Sequence, residues 1–274
     1  MSATIDRISA LLAKAERTDN EAEADAYLMK AQQLATLASV DLAVARARIA
    51  RRESRQQPES RTTTIGEKGR RANPHLISLF IAIAHANDAQ VDIAANSTYV
   101  IGYGMPADLD VVETMFASLA VHMVHASQAY VSARAWQGET YVAAVARSRR
   151  REYRPHTAVT ARAAFYRAYV ERITERLALA RQQALEHLEQ RRSDVGSDHA
   201  VPVGATSGAL VLRQKAAEVK AFHSQASRAR GSWGGYSGAV RGSSGTAAEA
   251  GRTAASRARL GRQAELPGKG PAIG

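Results

Sequence analysis

Residues 73–107 read NPHLISLFIAIAHANDAQVDIAANSTYVIGYGMPA, and two different periodicities meet in this stretch. Asn73-Pro74 opens it with proline in a first helical turn, where a missing backbone donor costs nothing. Leu76, Ile77, Phe80, Ile81 and Ile83 then put apolar side chains on nearly every face, which predicts a helix as far as Ala86, buried at the centre of the core. Asn87-Asp88 stops it. Val91/Ile93 and Tyr99/Ile101 next alternate around an Asn96-Ser97 turn, the pattern of a β-hairpin. From Pro106 the helical period returns, with Leu109, Val112, Phe116, Leu119, Met123, Ala126 and Tyr130 at steps of three and four. A helix, a β-hairpin and a long helix in succession make the chain mainly α, of α+β class.

Upstream, residues 5–43 read IDRISALLAKAERTDNEAEADAYLMKAQQLATLASVDLA. Ile5, Ile8, Leu11, Leu12 and Ala15 form one amphipathic face, and Arg17-Thr18-Asp19-Asn20 breaks it. Thr18 followed by Glu21 is a capping-box pattern, and Glu21, Glu23 and Asp25 favour the positive end of a second helix. That helix carries Ala24, Tyr27, Leu28, Ala31, Leu34, Ala35 and Ala38 on its apolar face, and the short break implies an antiparallel helical hairpin. In order, spacing and residue type, Leu11, Leu12, Lys14, Ala15, Asn20, Glu21, Glu23, Ala24, Lys30, Ala31, Gln32 and Leu34 resemble the N-terminal module of the domain-of-unknown-function 2786 family. Downstream, TYVIGYGMPADLDVV, FYRAYVERITERL and AAEAGRTAASRARLG resemble its companion, the domain of unknown function 7168. The resemblance implies an architecture found in bacteria and their phages and transfers no activity.

Toward the C-terminus, Val159, Ala163, Tyr166, Val170, Ile173, Leu177, Ala180 and Ala184 form the stripe of a third long helix, expected to pack within the chain. A loop over residues 193–207, a helix from Leu210 to Ala229, a Gly/Ser-rich segment and a short final helix follow. In that last helix Ala247, Gly251 and Ala255 fall every fourth residue, which lets another helix approach closely. The expected organisation is therefore a helical hairpin (1–45), a basic linker (46–72), an α+β core with a small β-hairpin (73–192), and a loop, helix and Gly/Ser-rich basic tail (193–274).

Composition narrows function by exclusion. The 274 residues contain no cysteine, which removes disulfides, thiol chemistry and cysteine-ligated metals and suits a reducing compartment, the cytoplasm by default. Asp6, Arg7 and Lys14 interrupt the start, so no export signal is expected. The richest apolar run, Leu76 to Ala86, is far short of the roughly 20 residues needed to span a bilayer, so no membrane partner is expected. Net charge is +11, unevenly spread: −3 over residues 1–45, +6 over 46–72, −5 over 73–133, +7 over 134–192 and +6 over 193–274. Such segregation sets a long-range field that attracts polyanions.

Three motifs bear on chemistry. Gly102-Tyr-Gly104-Met-Pro-Ala107 has the G-x-G-x-x-A form of a dinucleotide loop, but the strand before it belongs to a hairpin and no acidic residue follows at ribose-binding distance. A turn before an aspartate-bearing helix start, at Asp108 and Asp110, is the structural reading. His122 and His125 share a helix face and could ligate a metal if His75, His85 or Asp88 joined them; the alternative is polar residues flanking the stripe. No nucleophile elbow, HExxH motif or paired catalytic carboxylates occur, so no catalytic residue, metal ligand or cofactor is assigned.

The third is basic. Arg147, Arg149, Arg150, Arg151 and Arg154 form a run, with Arg162, Arg167, Arg172 and Arg176 after it. Arg46, Arg48, Arg51, Arg52 and Arg55 form a second cluster in the linker. Six neutralised phosphates would give a log–log salt slope of about −5 on duplex DNA. The residues expected to contact DNA or RNA are Arg51, Arg52, Arg147, Arg149, Arg150, Arg151, Arg154 and Arg162; a solvated arginine surface is the plainer reading. Arg228, Arg230, Trp233, Tyr236 and Arg241 interleave arginine, glycine and aromatics as single-strand-binding segments do, and as a linker whose aromatics pack on the core also would. The leading expectation is thus a non-enzymatic nucleic-acid binder, followed by a module whose acidic hairpin docks a protein, and then by a metal-dependent enzyme.

Overall fold

Apolar residues at helical spacing fold the N-terminal segment into α1 (Ser2–Arg17) and α2 (Glu21–Ile49), which pack on each other through Ile8, Leu12, Ala15, Ala24, Leu28, Ala31 and Ala35. The computed structural model describes residues 2–17, 21–49, 57–143, 152–196, 208–231, 233, 240–241 and 245–258. Thr18 of the capping-box pattern lies outside them. Two polar residues share the buried face of α2: Gln32 donates to Thr36 Oγ1 and to Asn87 Oδ1, both at 3.4 Å, which ties the hairpin to the core.

Residues 59–64, read from the sequence as part of a linker, form β1 (Glu59–Thr64). Glu-Ser-Arg-Thr-Thr-Thr has no apolar alternation to betray it, because it is an edge strand whose pairing supplies its stability. As expected, α3 (Asn73–Ala86) begins with proline in its first turn and buries Ile77, Leu79, Phe80, Ile83 and Ala84. Asn73 does not cap this helix; its Nδ2 donates to the carbonyls of Glu67 and Ser97, each at 2.9 Å, and so fastens two turns together. The hairpin is β2 (Gln90–Ile93) and β3 (Tyr99–Gly104), and the sheet order is β1-β3-β2, antiparallel throughout.

Next, α4 (Pro106–Ser132) buries Leu109, Val112, Phe116, Leu119 and Met123, with Phe80 and Phe116 in edge contact at 5.2 Å. Then come β4 (Thr140–Ala143), β5 (Glu152–Pro155), α5 (Ala158–Gly196), α6 (Gly208–Ala226), β6 (Val240–Arg241) and α7 (Thr246–Ser256). A second antiparallel sheet of order β5-β4-β6, not expected from the sequence, draws part of the Gly/Ser-rich tail into the fold.

The α5 stripe is buried from Ala163 to Ala184, and it packs inside the chain, against α2, α3, α4 and α7. Val159 departs from it and is 44% exposed, because it sits in the first turn, at the rim of a cleft. The small-residue spacing of α7 does what it implies: Ala247, Gly251 and Ala255 are buried, and a side chain on Gly251 would overlap the carbonyl of Phe165 on α5. Among the described residues no helix is long and apolar enough to cross a membrane.

Candidate nucleic-acid interface

Of the eight arginines expected to meet nucleic acid, Arg51, Arg52, Arg147, Arg149, Arg150 and Arg151 lie outside the described residues. Arg154 stands on β5, where it pairs with Glu152 at 2.8 Å, both side chains about half exposed. Arg162 lies on α5 and donates to Gln128 Oε1 of α4 at 3.1 Å.

Farther along α5 the arginines do not form a free basic stripe. Arg167 pairs with Glu171 at 3.0 Å and Arg172 with Glu175 at 3.3 Å. Arg176 is buried, pairs with Asp25 of α2 at 2.5 Å and donates to the carbonyl of Ala255. The first two pairs lie along α5 itself, at spacings of four and three residues, and only Arg176 meets a carboxylate distant in sequence, which fastens α5 to α2.

Arg162 nevertheless has cationic company. With Arg70 and Arg71 it lines a cleft of about 690 Å3 between the start of α3, the flank of α4 and the first turns of α5. The only carboxylate bound to one of these arginines among the described residues is Glu67, 2.5 Å from Arg70, and that pair is more than two-thirds exposed. Such surface pairs contribute about 0–1 kcal/mol, so Arg70 exchanges partners readily. The first turn of α3 contains no acidic residue, so no carboxylate there offsets the positive end of the helix dipole at the cleft. His75 closes the base against Tyr166, ring centroids 5.3 Å apart. Burial, with Arg167 adding to it, lowers its pKa to about 4, so the ring is neutral at physiological pH. The sequence signal missed here was the Arg70-Arg71 pair, which charge counting merged with the linker.

The other candidates resolve into packing. Gly102 and Gly104 face Leu109: a Cβ on Gly104 would stand 3.2 Å from Leu109 Cδ2 and 3.3 Å from the Cβ of Ala89. Their lack of side chains seats α4 on the sheet. Asp108 is buried 3.0 Å from Lys215 of α6, and Lys215 also pairs with Asp88 at 2.9 Å and donates to Ser39 of α2. Asp110 pairs with Arg61 of β1 at 2.5 Å. His122 Nδ1 lies 2.9 Å from the hydroxyl of Tyr169, whereas His125 and His85 are exposed and Asp88 is bound by Lys215 and Arg181. Among the described residues no three His, Asp or Glu side chains stand where they could hold a metal.

Fold and cleft together define a mainly helical α+β protein with a basic cleft beside its core helix. Residues 3–42, the α1–α2 hairpin, match the family described as Protein of unknown function (DUF2786). No curated protein and no solved structure matches the chain.

Proposed function

We propose that this chain is a non-enzymatic, cytoplasmic accessory protein of bacterial or phage type that binds nucleic acid through phosphate-backbone contacts. In this reading the part beyond the hairpin is the companion domain of unknown function 7168. One observation carries it: Arg70, Arg71 and Arg162 meet in a cleft that no carboxylate lines among the described residues. Guanidinium groups take phosphate oxygens in bidentate fashion, and a row of them draws in a polyanion by releasing its counterions. Arg51, Arg52, Arg147, Arg149, Arg150, Arg151 and Arg154 also count among the phosphate contacts in this proposal.

The test is an electrophoretic shift and anisotropy titration across salt concentrations, with duplex and single-stranded probes. Binding should weaken with salt, and replacing Arg70, Arg71 and Arg162 together by alanine should make the log–log slope shallower by about 3, roughly one per arginine. No shift of either probe at about 50 mM salt would overturn the reading.

A second reading, a protein-docking module, is favoured by a mostly apolar cleft of about 490 Å3 between the hairpin and the start of α4, lined by Ile5, Leu34, Ala38 and Val111. Its support is narrower, since most of the hairpin's apolar face is already covered by the chain itself.

A further inference from the structure

The first sheet has two faces. Val100, Gly102 and Gly104 turn toward α3 and α4, which leaves Tyr99, Ile101 and Tyr103 on the other side, with Ser60, Thr62 and Thr64 of β1 and Asp92 of β2 opposite them in register. At one end α6 covers this outer face: Tyr103 is buried against Phe222 and His223, ring centroids 6.2 and 4.8 Å apart. At the other end nothing among the described residues covers it. A groove of about 800 Å3 opens there, floored by Ile101 and bordered by Tyr99, Arg228, Arg230 and Trp233.

The segment after α6 is held in place along this groove. Ser227 Oγ donates to Asp92 Oδ2 at 2.7 Å, and the Ala229 backbone N–H donates to Ser227 Oγ at 3.2 Å. Gly231 then turns the chain at φ +107°, a conformation side-chain-bearing residues rarely adopt, and Trp233 follows at the groove's border. Tyr99 is 39% and Trp233 37% exposed, a large aromatic area for a site with no partner.

We infer that this groove binds single-stranded nucleic acid, with Tyr99 and Trp233 stacking on unpaired bases and Arg228 and Arg230 taking the phosphates between them. The inference deepens the nucleic-acid reading, rests on it for the class of ligand, and assigns a second site, whose lining shares Ser97 with the cleft of Arg162. Charge and ring geometry select this ligand. Arg228 and Arg230 make no ion pair among the described residues, and the one carboxylate of the groove is spent: Asp92 Oδ1 meets His223 Nε2 at 2.8 Å, and Oδ2 accepts from Ser227 and, at 2.8 Å, from Tyr103. In a duplex both faces of each base are stacked on neighbours, so only an unpaired strand offers a face to tyrosine or tryptophan. Aromatic platforms set among arginines bind such strands with little regard to sequence.

The experiment uses the full chain, a labelled oligothymidylate of about 15 nucleotides and a duplex of equal charge. Tyr99→Ala and Trp233→Ala, both at partly exposed positions, should each weaken single-strand binding about tenfold or more while leaving duplex binding unchanged. In a second measurement Trp136→Phe leaves Trp233 as the remaining tryptophan of the chain, and its fluorescence should be quenched by the oligothymidylate and not by the duplex. Single-strand affinity untouched by both alanine variants, or absent quenching, overturns the groove assignment while duplex binding keeps the phosphate reading alive. Loss of binding to both probes in the wild-type chain overturns both. Displacement of the oligothymidylate by poly-glutamate at equal charge concentration would show an unselective anion surface and also overturn the inference.

Discussion

Gly251 on α7 lies directly against the backbone carbonyl of Phe165 on α5, with no room between them for a methyl group. In an ordinary exposed helix, exchanging glycine for alanine stabilises by about 1 kcal/mol. Here the added carbon meets backbone, which cannot rotate aside as a side chain would. Gly251→Ala is expected to destabilise the protein by about 1–3 kcal/mol, the usual cost of overpacking, read from urea unfolding midpoints. An unchanged or raised midpoint would show that α7 does not seat on α5 in this way.

Lys215 is the hub of a second junction, joining α6 to Asp88, Asp108 and Ser39. Replacing it by methionine keeps the bulk but leaves the buried carboxylate of Asp108 without its cation, while Asp88 keeps Arg181, at a cost of about 3–5 kcal/mol near neutral pH. The cost should shrink in acid. Burial raises the Asp108 carboxyl in the native protein, opposed by Lys215, and without the lysine it rises further. A group raised on folding favours the folded state at low pH and loses that contribution as pH climbs through its folded pKa. Unfolding curves of Lys215→Met at pH 5 and pH 8 should therefore differ in the acid-stabilised sense; a pH-independent deficit would contradict the pairing.

His75 gives the opposite sign. Its folded pKa of about 4 lies below the ordinary 6.5, so the unfolded chain takes up the proton first. Its contribution is complete above pH 6.5 and is lost as pH falls from there toward 4, by about 3 kcal/mol in total. His75→Gln should flatten the wild-type stability profile within that window. Parallel profiles for the two proteins would show that the ring is not held neutral, and histidine NMR titration gives an independent reading.

Asp92 clasps the end of α6 to the sheet. Burial alone would raise its carboxyl, but the hydrogen bonds from His223, Ser227 and Tyr103 outweigh that and hold it below the ordinary range. Asp92→Ala should speed amide exchange across residues 223–231 about tenfold or more, corresponding to the loss of 1–3 kcal/mol of charge-assisted bonding, while exchange in α3 stays unchanged. A uniform rise across the protein would mean a global effect instead of a local clasp.

Much of the fold could be read directly from residue order, and the reason is visible in particular elements. In α3 and α4 burial follows a period of three and four, and along β2 and β3 successive residues turn to opposite faces of the sheet; such periods are local properties that survive without knowledge of neighbours. The same holds for α1 and α2, and for the small residues of α7, whose spacing anticipated a close helix contact. By contrast β1 and β6 carry no apolar alternation, and their stability comes from pairing with β3 and β4.

The site was less legible. Counting arginines put Arg162 and Arg176 in one class, yet Arg162 lines a basic cleft and Arg176 is buried against Asp25. Sequence by itself determined where charge was plentiful, which segments were helical and which chemistries lacked residues. Only the tertiary structure decided which cations meet a carboxylate and which aromatic faces remain uncovered, because charge pairing and burial depend on contacts between residues far apart along the chain.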